Sequence, residues 1–105
     1  MTRFVHPAKD DITLAGVLDA LGDPMRLKII RKLLEKRHGR SLSCSEATPC
    51  PEMAKSTLSH HFRILREAGL VRTTKHGVEN LNCVRWDELN ERFPGLLATI
   101  MKFEA

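Results

Sequence analysis

Ala54-Lys55-Ser56-Thr57-Leu58-Ser59-His60-His61-Phe62-Arg63-Ile64-Leu65-Arg66-Glu67-Ala68-Gly69-Leu70-Val71 puts a regular apolar stripe and a set of hydroxyl, imidazole and guanidinium groups on one helical segment. At about 100° per residue, Leu58, His61, Phe62 and Leu65 gather on one side with Ile64 at the flank. Ser56, Ser59, His60 and Arg63 gather on the other. The first set suits a core. The second offers donors of the reach that base edges and phosphate oxygens accept, so the segment reads as a helix laid in a DNA groove. Gly69 is placed to end it as a left-handed cap, with Leu70 and Val71 returning the chain to the core.

Charge is concentrated in the same region. From Lys55 to Arg85 there are six basic residues (Lys55, Arg63, Arg66, Arg72, Lys75, Arg85) against two acids (Glu67, Glu79), a local excess of four. The whole chain has seventeen Lys and Arg against thirteen Asp and Glu, so the remainder holds eleven of each and cancels. A cationic segment of this kind displaces counterions from nucleic acid.

At 105 residues and 42% apolar content, the chain 1–105 reads as a single domain with one modest core. No apolar run approaches the roughly 20 residues of a membrane span. The polar start Met1-Thr2-Arg3 followed by Pro7, Lys9, Asp10 and Asp11 does not resemble a signal peptide, which leads us to expect a cytoplasmic protein without membrane partners. Three cysteines, an odd number, argue for reduced thiols over a disulfide scaffold.

Asp10 or Asp11 is expected to cap a first helix carrying Ile12, Leu14, Val17, Leu18 and Leu21, ended by Gly22. Asp23-Pro24 reads as N-cap and first residue of a second helix, Met25 to about Arg37. Its Leu27, Ile30, Leu33 and Leu34 point inward, and Lys28, Arg31, Lys32, Lys36 and Arg37 point outward or cover its last turns. Between Gly39 and Glu52, Pro49 and Pro51 leave room for only one or two helical turns around Ser43 to Ala47. Val71 to Val84 reads as a hairpin with Lys75-His76-Gly77 near its tip. Asp87 is then read as the cap of a short helix with Leu89 and Phe93, and Pro94 as the start of a last helix with Leu96, Leu97, Ile100, Met101 and Phe103. The expected fold is mainly α with a two-stranded β wing (α+β), a winged helix-turn-helix.

Leu18 to Leu27, then Ser56 to Phe62, then Leu65 to Val71, together resemble the ArsR/SmtB family of bacterial transcriptional repressors, in order and spacing over nearly the whole chain. The resemblance implies a homodimeric repressor on a palindromic operator in double-stranded DNA. Carried over by position, it implies DNA contacts from Lys55, Ser56, Thr57, Ser59, His60 and Arg63 on the recognition helix, about 55–68, and from Arg72, Lys75 and His76 on the wing, about 71–84. Ala54 stands where the family usually has Ser or Thr, which weakens the start of that helix by about 0.5–2 kcal/mol unless Ser56 or a neighbour substitutes as the cap. The dimer is expected through the first and last helices, by Leu14, Val17, Leu18, Leu97, Ile100 and Met101, because those helices carry more apolar residues than a monomer of this size absorbs.

Metal-responsive members carry two cysteines, one residue apart, on the support helix. Those positions here are Ser43 and Ser45, with Cys44 between them, and Trp86 to Ala105 contains no His for the family's second common site. Neither a metal site nor a cofactor is therefore expected. Cys44 and Cys50 stay open to three readings: structural thiols, a redox switch, or a thiol-bound soft metal or metalloid. Cys83 falls on the second wing strand. His60 and His61, about 100° apart on a helix, cannot both face one metal. His60 reads as a DNA contact and His61 as a packed structural residue, whereas His6, His38 and His76 stand alone. Acid–base dyads, phosphate loops and nucleophile motifs are absent from the sequence, which argues against an enzyme. A winged helix serving only protein interaction would share the fold but would not need so cationic a polar face.

Overall fold

In the computed structural model, residues 4–35, 41–48, 50 and 52–103 are described. The elements follow the expected order: α1 (Leu14–Leu21), α2 (Pro24–Glu35), β1 (Leu42–Ser43), α3 (Cys44–Ala47), α4 (Lys55–Glu67), β2 (Val71–His76), β3 (Glu79–Val84), α5 (Trp86–Arg92) and α6 (Leu96–Ile100). Lys36, Arg37, His38, Pro49 and Pro51 lie outside the described residues, and so does the expected extension of α2 to Arg37.

Asp23 Oδ1 accepts from the backbone N–H groups of Met25 and Arg26 at 2.8 and 3.1 Å, so the Asp-Pro start of α2 forms as read. Ile29, Ile30 and Leu33 are buried on its inner side, while Leu27 and Leu34 are only half-buried. Ser43 and Glu46 close a capping box that holds the single turn of α3. Two prolines nearby leave this turn little to propagate into, so reciprocal capping is what stabilises it.

Four local expectations are corrected. Asp10 and Asp11 do not cap α1: they sit in a 3-10 turn, Lys9–Asp11, and Thr13 caps α1 by accepting from Gly16 N–H at 3.0 Å. Between them Ile12 is extended and 1% exposed, because its side chain fills the space over Gly69, and an extended residue cannot continue a helix. Asp87 lies inside the first turn of α5, whose N-cap is Arg85. Pro94 precedes α6 without starting it: Phe93 before it is non-helical, as residues before proline favour, and Gly95 takes φ +78°. Finally, the sheet has three antiparallel strands in the order β1-β3-β2, with Leu42 opposite Asn82 and Ser43 opposite Leu81. A two-residue strand is too short to show alternation in sequence.

Phe62, Leu65, Leu70 and Val71, all at or below 1% exposure, join α4 and β2 to the same core that Val17, Ile29 and Ile30 form from α1 and α2. Val17 and Leu97, expected at a dimer face, belong to this core at 0 and 2% exposure; their hydrophobic spacing marked burial within the chain, not between chains. Leu14 and Leu18 remain 46 and 47% exposed, and Ile100 and Met101 are half-buried.

Candidate nucleic-acid interface

Three anchors hold α4 in place. Phe62 and Leu65 bury its inner face. His61 Nδ1 lies 3.4 Å from Arg26 Nη1, and the same guanidinium donates from Nε to the carbonyl of Ala20 at 2.7 Å, which ties α4 to the junction of α1 and α2. The third anchor is the exit. Leu70 N–H bonds Leu65 O and Gly69 N–H bonds Arg66 O, both at 3.0 Å, with Gly69 at φ +85°. This is the Schellman pattern. Gly69 is required twice, since a Cβ there would also collide with Ile12.

With its inner side committed, α4 turns Lys55, Ser56, Thr57, Ser59, His60 and Arg63 outward, all exposed. Among the described residues, Lys55 and Arg63 have neither a salt-bridge nor a hydrogen-bond partner. Ala54 occupies the N-cap with no side-chain bond to the first turn, as its residue type dictates. The open first turn lies at the end that carries Lys55 and Ser56.

The hairpin pairs Val71 with Val84 through His76 with Glu79. Gly77 at φ +62° followed by Val78 at ordinary negative φ makes a two-residue turn of the type II′ kind, with Val78 99% exposed. Lys75 and His76 are exposed near this tip. Strand pleating sets Arg72, Thr74 and His76 on one face and Thr73 and Lys75 on the other, so the three residues expected as wing contacts do not share a face. Arg72 is also engaged: its Nη2 lies 3.2 Å from Glu88 Oε1.

Glu88 is the acidic centre of the hairpin's base. Arg85, 4% exposed, donates to both of its oxygens at 2.9 Å and to the carbonyl of Pro7 at 2.7 Å. The Arg85 and Arg72 guanidiniums hold the Glu88 carboxyl down at about 2 against the opposing cost of burial. Arg66 is likewise turned inward, stacked 4.6 Å over the Phe4 ring with Nη1 3.4 Å from Thr73 Oγ1, and burial lowers its pKa.

Asn82, 0% exposed, is a member of this region that the sequence reading missed. It accepts from Thr73 Oγ1 at 2.7 Å and donates to Leu42 O at 3.1 Å and Cys44 Sγ at 3.4 Å, which joins β1, α3, β2 and β3. His6 was missed as well, because its partner, the backbone N–H of Thr73 at 3.0 Å, lies 67 residues away. Cys44, Cys50 and Cys83 are half-buried free thiols. Among the described residues, no group of three or more His, Cys, Asp or Glu is placed to hold a metal ion.

A family model described as a helix-turn-helix domain matches residues 21–74, from the end of α1 into β2. The chain is 40% identical over 91 residues to YceK, an uncharacterised helix-turn-helix transcriptional regulator of Bacillus subtilis, covering 87% of this chain and 89% of that protein. An uncharacterised regulator of the same type from Methanocaldococcus jannaschii is 34% identical over 77 residues, 73% of this chain and 83% of that one. An ArsR-like transcriptional regulator from Rhodococcus sp. RHA1 superposes with a TM-score of 0.61 at 29% identity, covering 85% of this chain and 80% of that one. This chain belongs to the ArsR family of transcriptional regulators. The repressor BigR from Xylella fastidiosa superposes equally, TM-score 0.61 at 26% identity, over 88 and 87% of the two chains. As an ArsR-family regulator the protein is a DNA-binding protein and not an enzyme. The family match covers α2, α3 and α4, whereas the segment before α1, β3 and the last two helices lie beyond it. Among the described residues no helix is long and apolar enough to cross a membrane.

Proposed function

We propose that this ArsR-family regulator is a cytoplasmic homodimeric repressor that reads a palindromic operator with α4 in the major groove of each half-site and the wing tip beside it. The observation that carries this reading is the outward face of α4, where Lys55, Ser56, Thr57, Ser59, His60 and Arg63 are exposed. A side chain such as Arg63 pairs well with a guanine edge, while Lys55 and the first-turn N–H groups suit phosphate. Lys75 and His76 extend the contact from the wing; Arg72, held by Glu88, would have to exchange partners to join them. Leu14 and Leu18, one turn apart on the outer side of α1, together with Phe103 at 67% exposure, support pairing with a second copy. Repression follows by occlusion of promoter DNA.

Selection of bound sites from random DNA tests this reading, with light scattering in parallel. The expected outcome is an inverted repeat with half-sites about one helical turn apart, recovered by a dimer. A monomer at micromolar concentration, or recovery of no enriched repeat, would overturn it.

A thiol-responsive form of the same reading draws on Cys44, whose sulfur accepts from buried Asn82. An oxidant or arsenite acting there, or at Cys50, would disturb the network that joins α3 to the wing. Operator binding should then fall on mild oxidation, recover with dithiothreitol, and become insensitive in the Cys44→Ser, Cys50→Ser double variant. A wild-type response in that variant would make the two thiols structural.

A further inference from the structure

From Phe4 through Ala8, ahead of α1, the chain forms no regular element, yet it is tied to three parts of the molecule. The Phe4 ring lies beneath Arg66 of α4 at 4.6 Å. His6 Nε2 accepts from Thr73 N–H of β2 at 3.0 Å, and Pro7 O accepts from Arg85 at 2.7 Å. β2 is the edge of the sheet, so the Thr73 N–H points away from β3 and would otherwise face solvent. The strap thus crosses the joint where the recognition helix hands the chain to the wing.

The bond to Thr73 sets the charge state of the imidazole. Nε2 accepts only in a neutral ring with its proton on Nδ1, and a protonated ring would turn a second donor toward the Thr73 N–H. The charged groups around it are Arg66 from α4, Arg72 from β2 and Arg85 between β3 and α5. The carboxylate facing these cations, Glu88 of α5, is already bonded to Arg72 and Arg85.

We propose that Phe4–Ala8 is a proton-released latch on the wing joint: neutral His6 closes it over the edge of β2, and protonated His6 opens it. Burial first, then Arg72, Arg85 and Arg66, lower the pKa of His6. The stabilisation from this bond is therefore complete above the ordinary histidine value of about 6.5 and declines as pH falls below it toward the lowered value. Glu88, held at about 2, keeps its charge throughout that window. Opening would release the Thr73 N–H and Phe4 together, loosening the joint between α4 and β2.

The latch is testable without DNA, so its failure is distinct from failure of the operator reading. Nuclear magnetic resonance of the full chain between pH 7.5 and 5 would follow the His6 ring protons and the exchange of the Thr73 amide, corrected for the intrinsic pH dependence of exchange. The expected result is a His6 midpoint below 6.5 and a several-fold loss of Thr73 protection as pH falls. His6→Gln keeps an acceptor that does not titrate and should hold protection constant across the range; His6→Ala should leave the amide unprotected at every pH. Constant protection in the wild-type chain, or the same decline in His6→Gln, would overturn the latch.

Discussion

The six basic residues between Lys55 and Arg85 divide into two regions with opposite uses. Lys55, Arg63 and Lys75 are exposed and, among the described residues, without an acidic partner. Arg66, Arg72 and Arg85 turn toward Phe4 and Thr73, toward Glu88, and toward Glu88 and Pro7 respectively. A cation held by a half-buried carboxylate, a carbonyl or a ring must leave that partner before it can meet phosphate. The local excess of positive charge therefore overstates the DNA-facing charge, and half of the basic residues assemble the base of the wing.

Replacement of one residue from each region should separate stability from binding. Arg85→Ala removes a buried guanidinium and leaves Glu88 and the Pro7 carbonyl without it. A loss of about 2–3 kcal/mol is expected in urea unfolding, less than for a fully buried pair because Glu88 keeps some solvent. Its acid limb should change too. Lowering the Glu88 carboxyl to about 2 stabilises the fold at pH values above the usual glutamate range, and that contribution is lost as pH falls through about 4.3 toward 2. Arg85→Ala should flatten this decline, and an unchanged acid limb would mean that the Glu88 carboxyl owes its low pKa to something else.

Arg63→Ala should do the converse. Folding stability should stay within about 0.5 kcal/mol, as for an exposed residue without partners, while operator affinity drops by about 1–3 kcal/mol and base preference relaxes at one position per half-site. Fluorescence anisotropy on the selected operator and on single-base variants measures both. A uniform loss over all sequences would move Arg63 from base edge to phosphate.

Lys75→Ala is expected to weaken binding to all sequences modestly and to reduce the slope of log affinity against log salt by about one unit. The smallest effect is assigned to Arg72→Ala. Its partly exposed bond to Glu88 contributes at most about 1 kcal/mol, and with the side chain already engaged the salt slope should be unchanged. A slope change equal to that of Lys75→Ala would show that Arg72 leaves Glu88 when DNA arrives and would redraw the division between the two regions.

Local chemistry determined a large part of this protein. The 3.6-residue period of Leu58, Phe62 and Leu65, the glycine at 69, the Asp23-Pro24 start and the alternation after Val71 each act within a few residues, so α2, α4 and the hairpin are legible in the order of the amino acids alone. The polar face of α4 is legible for the same reason, since one amphipathic period assigns both faces of a helix at once. Tertiary structure decided what depends on distant partners. Burial of Val17 and Leu97 within the chain, pairing of β1 with β3, the commitment of Arg72 to Glu88 and of Arg85 to the Pro7 carbonyl, and the bond from His6 to Thr73 all join residues that spacing does not relate. Apolar and charged side chains show in sequence that they need a partner. Which partner they meet is settled only when the chain closes, because burial and Coulomb attraction act through space and carry no record of sequence separation.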